Sequence, residues 1–411
     1  MTKHPAKLLL LSQLFYPELI STGQTLTELC EALVGLGVDI EVFCGPPTIV
    51  DRVTKIPKHI VYKEIKINRL WGTRFPKLSF LGKLLNQLTF TFSAFIKLIF
   101  DTSRRTILVV SNPPFLTIVC AILRIFGGKP YIALLFDIYP DVAVKLDVLK
   151  ENSIIKKAWD SLNRFMFNNA SFIVILGRCM KETIKRKGIS EEKIRIIHVW
   201  SDDKLIQGNL RVNNPFKEKW GLENKFVVSY SGNMGRFHDM ETIMEAAKML
   251  KDKTGIVFLF VGEGQKKRWM QEIAKKWQLT NCRFYSYVAK EDLGYMLTCA
   301  DVGLVSLSKG VEGLSVPSKF YGVLSAEVPV IAIMSEGSEP ALVVKENNCG
   351  FVIEPGNAGE LVRSIFCLYN NRELYKTFAR NSRNVIDKEY NLKEAAGQYF
   401  SLIKLVQDHF N

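Results

Sequence analysis

The feature that most narrows the fold of this chain is an alternation, met twice along its length, of short apolar runs with helical stretches, each run closed by a loop rich in Gly, Pro, Ser or Asn. The runs at 8–11, 40–44, 106–111, 131–136, 171–176 and 193–199 are four to seven residues long, as strands of a parallel sheet are. Helical spacing fills the intervals at 25–36, 117–126, 154–167 and 179–187. Strand, helix, strand in that order imposes a parallel sheet covered by helices. The alternation restarts at 226–231 and continues through 255–261, 282–285, 302–306 and 328–333. The expectation is an α/β chain of two doubly wound, Rossmann-like domains facing across a cleft, with ligands held at their switch points. A polar stretch containing Asn213-Asn214-Pro215 divides them. The expected boundaries are 1–202, a linker 203–224, 225–385, and a C-terminal helix within 386–411 that returns to the first domain.

The chain, 411 residues long, can bury two cores, and its formal net charge of +14 favours anionic partners. Lys and Arg are spread over both halves rather than gathered in a basic tract, so nucleic acid ranks last among those partners. The eight cysteines form no C-x-x-C, which argues for a reducing compartment and against a zinc site. The apolar run at 8–11 is too short for the core of a signal peptide and reads as the first strand. No apolar stretch reaches the length of a membrane span. The nearest, 78–100, carries Lys83, Asn86, Gln87 and Lys97 among Phe and Leu, and fits a helix lying in a membrane surface as well as one packed on a core.

The chemistry concentrates in the stretch 312–333, EGLSVPSKFYGVLSAEVPVIAI, which reads as loop, helix and buried strand. Ser315, Pro317 and Ser318 stand where the helix begins, and Lys319 follows. Bare backbone N–H groups and an ammonium at the edge of a parallel sheet suit a phosphorylated ligand, whereas the plain alternative is a generic α/β unit with a solvated lysine. Arg236 follows the turn Gly232–Gly235 at an expected helix start, where a guanidinium can bridge phosphate oxygens. Each cation alone is as well explained as a surface charge; together, both after strand ends of one domain, they favour a diphosphate site. The first loop, 12–24, lacks the G-x-G-x-x-G of a dinucleotide fold and offers Gly23 alone for close approach. No P-loop signature occurs, and no D-x-D, so no metal is expected and the leaving phosphate is neutralised by protein cations and helix ends. Asp137, in FDIYPD after a buried strand, could accept a proton from an attacking hydroxyl, while Asp141 fits a structural role better. Glu312 is the remaining candidate carboxylate, unless it simply begins its loop.

Taken jointly, FYPE and STGQ within 15–24, SNPP at 111–114, FDIYPD at 136–141 and IRIIHVWSDD at 194–203 resemble the family 4 retaining glycosyltransferases of the GT-B fold. So do YSGNMGRFHDMETIMEAA at 230–247, VGEG at 261–264, ADVGLVSL at 300–307 and VPSKFYGVLSAEVPVIAI at 316–333. The nearest likeness is to the bacterial O-antigen and capsule subgroup that includes L-fucosamine (N-acetylfucosaminyl) transferases. The resemblance implies a nucleotide-sugar co-substrate, a UDP-sugar, on the second domain and a polyprenyl-diphosphate-linked saccharide acceptor on the first. It implies transfer with retention, without metal or resident cofactor, by a cytoplasmic protein peripheral to the anionic inner face of the membrane. Arg236, Lys319, Asn233 and Ser318 would meet the diphosphate, Gly232 and Gly264 would let backbone approach it, and Gly23 would lie on its opposite side. Asp137 and Glu312 are the catalytic candidates. Four positions depart from the family: Asn233 and His238 stand where many members have Arg and Lys, Gly322 where a ribose-binding Glu is usual, and Phe136 where a His is common. A non-hydrolysing nucleotide-sugar epimerase shares this architecture and is the alternative.

Overall fold

A computed structural model describes residues 6–18, 21–47, 57–75, 80–201 and 205–410; Asp202 and Asp203 of the 194–203 motif lie outside them. The chain divides into two compact units, residues 1–198 with 392–411, and residues 199–391.

The first unit is built on eight strands: β1 (Lys7–Ser12), β2 (Asp39–Cys44), β3 (His59–Tyr62), β4 (Ile65–Arg69), β5 (Thr106–Val110), β6 (Tyr131–Leu135), β7 (Phe172–Ile175) and β8 (Ile194–Ile196). Their order is β3-β4-β2-β1-β5-β6-β7-β8, parallel throughout except that β3 runs antiparallel to β4. Every residue of β5 and β6 is buried, as strands covered by helices on both faces require. The β3–β4 hairpin escaped the sequence reading. Its two-residue turn needs positive φ at both positions, and Lys63 and Glu64 adopt it at 46° and 65° in place of the usual Asn-Gly. The helix Leu392–Phe410 packs on the helix Ser21–Gly35 within this unit, and Gln407 Nε2 donates to the Lys7 carbonyl at 2.7 Å.

The helix Phe80–Ile99 has two characters. Phe90, Ala94 and Leu98 are buried and the helix packs against the helix Phe115–Gly127. Leu81, Leu85, Leu88, Phe92, Ile96 and Ile99, at steps of three and four, form the opposite face and are exposed, Phe92 to 63%. Lys83 and Lys97 are exposed as well, but helical spacing puts them on the side of Phe90 and Ala94, and Lys97 Nζ lies 5.7 Å from the centroid of the Phe43 ring. Neither of the two expected placements therefore accounts for the whole helix: one face serves the core and the other is left to solvent. Among the described residues no helix is long and apolar enough to cross a membrane.

The second unit carries β9 (Phe226–Ser231), β10 (Ile256–Val261), β11 (Cys282–Tyr285), β12 (Val302–Ser306), β13 (Val330–Ile333) and β14 (Gly350–Ile353), all parallel in the order β11-β10-β9-β12-β13-β14. The order reverses between β9 and β12, which makes the loops after those strands the switch point. Residues 205–224, expected as linker, belong to this unit. They form the short helices Gly208–Arg211 and Pro215–Lys219, with Phe216, Trp220 and Leu222 buried and Trp220 stacked on Tyr285 at 4.2 Å. Asn214 caps the second of these through Phe216 N and donates from Nδ2 to Tyr295 O at 2.6 Å, so a polar composition here reflects capping and anchoring rather than a free connection.

Candidate functional site

At the switch point the loop after β9 is stitched to both neighbours. Ser308 N donates to Phe237 O at 2.7 Å across the β9–β12 crevice, while Gly232 N donates to Val261 O and Met234 N to Glu263 O, each at 2.8 Å, on the β10 side. The contact with the β10 loop is backbone on backbone. Gly262 (φ 141°) and Gly264 (φ 152°) face it so closely that a Cβ would stand 2.1 Å from Gly232 O and 2.4 Å from Met234 O, respectively. At Gly264 the space of the missing side chain is taken by the Met234 backbone, which is a packing reason for glycine there. Gly232 (φ 125°) is different, because a Cβ there would meet the Lys319 side chain, its Cε at 3.4 Å.

Lys319 opens the seven-residue helix Lys319–Ser325 and reaches under this loop. Its Nζ lies 4.2 Å from the centroid of the Tyr230 ring, hydrogen-bonds the Tyr230 hydroxyl, and donates to Asn233 O at 3.2 Å. The third partner is His238 Nε2, at 3.3 Å. His238 Nδ1 lies 2.8 Å from the Ser306 carbonyl, which can only accept, so Nδ1 carries the proton and Nε2 turns its lone pair to the amine. Burial, then the Lys319 charge, lowers the His238 pKa to about 3, so the imidazole is neutral in any ordinary buffer. Burial alone brings Lys319 down to about 7. The result is an amine poised between charge states, held by three acceptors at the switch point, where an incoming diphosphate would complete its charge compensation.

The other expected residues fall out as follows. Arg236 is exposed in the same loop, but the helix after it begins only at Glu241, so it is not at a helix start. Asn233 is exposed, and its carbonyl rather than its side chain bonds Lys319. Ser318 precedes the Lys319 helix without giving it a side-chain cap. The bare N–H groups expected there are reduced too, since Phe320 N and Tyr321 N donate to Pro317 O and Ser318 O at 3.1 and 3.2 Å. The side-chain cation thus carries more of the site than the helix end does. Glu312 turns its carboxylate to its own loop, Oε2 accepting from Gly310 N at 2.7 Å, which is the loop-shaping role. In the first unit, Asp137 follows β6 and, after burial, raises the Tyr139 hydroxyl to about 12. Asp141 is structural: Lys187 bridges it, at 2.6 Å, to Asp160, at 2.7 Å. Gly23 sits in the first turn of Ser21–Gly35 and is buried against Glu18, whose Cβ a side chain there would meet at 2.9 Å, so it serves packing within its loop and helix. Tyr230 was not singled out by the sequence, because a tyrosine inside an apolar run reads as core.

Two protein-family descriptions match the chain in tandem: a glycosyl transferase 4-like domain over residues 22–200 and glycosyl transferases group 1 over residues 212–385. The chain belongs to the glycosyltransferases of the GT-B class, with two Rossmann-like units, and the epimerase alternative is not favoured. It is 28% identical over 296 residues to a probable glycosyltransferase, WbjE, of Pseudomonas aeruginosa, covering 71% of this chain and 74% of that one. It is 25% identical over 324 residues to the putative colanic acid biosynthesis glycosyl transferase WcaI of Escherichia coli K12, covering 76% and 79%. Among solved structures, Anabaena Alr3699/HepE in complex with UDP and glucose superimposes with a TM-score of 0.73 at 14% identity, over 98% of this chain and 100% of that one, a likeness of fold.

Proposed function

We propose that this glycosyltransferase moves a sugar, an N-acetylated deoxyhexosamine by the subgroup resemblance, from a UDP-sugar to a polyprenyl-diphosphate-linked saccharide in the assembly of a bacterial surface polysaccharide. The observation that carries the reading is the Lys319 amine at the switch point, held by Tyr230, Asn233 and His238. In support, WcaI is named for colanic acid biosynthesis and the Anabaena structure contains UDP and glucose. The exposed apolar face of Phe80–Ile99 suits a bilayer surface in which a lipid-linked acceptor is embedded, and the net charge of +14 favours an anionic one.

In this reading the bond from the sugar C1 to the β-phosphate oxygen breaks as the acceptor hydroxyl forms its new bond to C1 on the same face, giving retention. The hydroxyl proton passes to the departing phosphate oxygen or to the Asp137 carboxylate. Negative charge builds on the diphosphate as the bond lengthens, and Lys319, with Arg236 from the neighbouring loop, stabilises it more in the transition state than in the ground state. No resident cofactor or metal enters this scheme. The test is UDP release by purified protein given an undecaprenyl-diphosphate-linked saccharide and a panel of UDP-sugars. Release with one of them supports the proposal; no release, together with no binding of any, refutes it.

A further inference from the structure

The second unit contains a cavity of about 490 Å³ that shares no residue with the Lys319 cluster. One wall is the helix Arg372–Lys388, which presents Arg372, Lys376, Arg380 and Arg383 at steps of four, four and three, hence on one face. Facing them are Arg211, at the end of the Gly208–Arg211 turn, and Lys217 of the next short helix. Six cations thus line a space that holds two carboxylates, Asp301 and Glu327.

The carboxylates do not neutralise this set. Asp301 is engaged with the fold, Oδ2 accepting from Val227 N at 2.9 Å while Oδ1 lies 3.5 Å from Arg211 Nη1. Glu327 rests its carboxylate against the Cα of Gly208, where a Cβ would come within 2.4 Å of it. Among the described residues, the ion-pair partners of Lys376 and Arg383 are exposed carboxylates of their own helix, Glu373 at 2.8 Å and Asp387 at 2.9 Å. Arg380 and Lys217 form no ion pair among the described residues. Most telling is Arg211. Its Nη1 donates to Ala300 O at 2.8 Å, but its Nη2 is enclosed and has no hydrogen-bond partner. An enclosed guanidinium nitrogen left without an acceptor is costly, and like charges at i, i+4 work against their helix. The like-charge cost vanishes when a multiply charged oxyanion occupies the cavity.

We propose that this cavity is a second anion site, separate from the donor site, which takes a phosphomonoester or diphosphate group. Four of its six cations are arginines, whose planar fork matches phosphate oxygens two at a time. The volume is that of a small-molecule pocket and admits a sugar phosphate or a lipid phosphate headgroup. Glu327 lies two residues past the helix that Lys319 opens, so the two sites stand at opposite ends of one seven-residue helix about 10 Å long.

The experiment is titration of the full chain with inorganic pyrophosphate in the presence of saturating UDP, which keeps pyrophosphate from the Lys319 site, read by calorimetry. A parallel arm uses flotation with vesicles of phosphatidylcholine with and without phosphatidic acid. The variant is Arg380→Ala with Arg383→Ala, both on a helix surface where alanine is favourable; Lys319→Met, titrated without UDP, is the second. Binding of pyrophosphate that weakens at least about tenfold in the double variant and persists in Lys319→Met is the expected result. If capture by phosphatidic acid vesicles weakens in the double variant as well, the phosphate belongs to a lipid; if capture is unchanged, it belongs to a soluble ligand. Pyrophosphate binding and vesicle capture both unaffected by the double variant, or pyrophosphate binding abolished by Lys319→Met, would overturn the proposal. UDP binding by the double variant, measured alongside, stays at the wild-type level, so loss of the cavity is distinguishable from failure of the donor-site reading.

Discussion

If the Lys319 amine titrates near pH 7 in the free protein, donor affinity must follow its charge. With the pKa at about 7, roughly nine-tenths of the amines are protonated at pH 6 and roughly one-tenth at pH 8. A ligand that binds only the ammonium form then loses affinity about tenfold across those two pH units. UDP-glucose is a suitable probe, because its diphosphate diester keeps both charges throughout the range. His238, with its pKa at about 3, contributes nothing there, so the slope belongs to the lysine. Calorimetry in buffers of different ionisation enthalpy supplies an independent reading: binding near pH 7 should take up about half a proton, since the complex holds the amine charged. Lys319→Arg, which stays protonated, should flatten the profile, and Lys319→Met should flatten it at an affinity lower by about tenfold or more at pH 6. Wild-type affinity that is constant from pH 6 to pH 8 with no proton uptake, or unchanged affinity in Lys319→Met, would refute the reasoning.

His238 makes stability depend on acid. Its folded pKa lies below the ordinary value, so the unfolded chain binds more protons between about pH 6.5 and 3, and stability is lost as pH falls through that window. Denaturation at pH 7 and 4.5 should show a loss of up to about 2–3 kcal/mol from this group, and His238→Gln should remove that share of the slope. Gly264→Ala sets a Cβ 2.4 Å from Met234 O at a φ of 152°, and should lower stability by about 1–3 kcal/mol or more while displacing the β9 loop, measured by calorimetric unfolding and UDP-glucose affinity. Phe92→Glu, on the exposed face of Phe80–Ile99, should leave the melting temperature within a degree or two but cut capture by anionic vesicles about tenfold or more, since burying a Phe side chain contributes about 1.5–3 kcal/mol. Equal capture of wild type and variant would remove that helix from membrane docking.

The strands of both sheets were legible because helices cover them on both faces, leaving apolar runs such as 256–261 and 330–333 with little else they could be. The hairpin β3–β4 was not, since Ile65 and Ile67 alternate with charged or polar neighbours over only five residues and the turn is written Lys-Glu. Composition likewise suggested a linker where Phe216, Trp220 and Leu222 are in fact buried. Three apolar anchors among polar residues carry no period, and only the packing partner Tyr285, sixty-five residues away from Trp220, reveals their purpose. The site shows the same division. Lys319 could be found from its place between loop and helix, but its acceptors could not, because Tyr230 lies in a strand and the neutral tautomer of His238 depends on the Ser306 carbonyl of another strand.

That geometry gives a physical account of the most conspicuous departure from the family pattern. Where many members have a lysine, this chain has His238, and a neutral imidazole cannot neutralise a diphosphate. Yet the Lys319 amine stands 3.3 Å from His238 Nε2, so a cation reaches the same place from the loop after β12 instead of the loop after β9. The two residues are complementary: a second lysine at 238 would set two ammonium groups side by side in a partly buried space, and each would depress the pKa of the other. The imidazole instead supplies an acceptor that holds the amine in position. His238→Lys should therefore weaken UDP-glucose binding near neutral pH even though it adds a positive charge, and should shift the pH at which affinity falls to lower values. His238→Lys combined with Lys319→Gln should recover part of that affinity, because one ammonium again faces the diphosphate. If His238→Lys alone binds UDP-glucose more tightly than wild type, charge number rather than placement governs the site, and the compensation argued from this geometry is wrong.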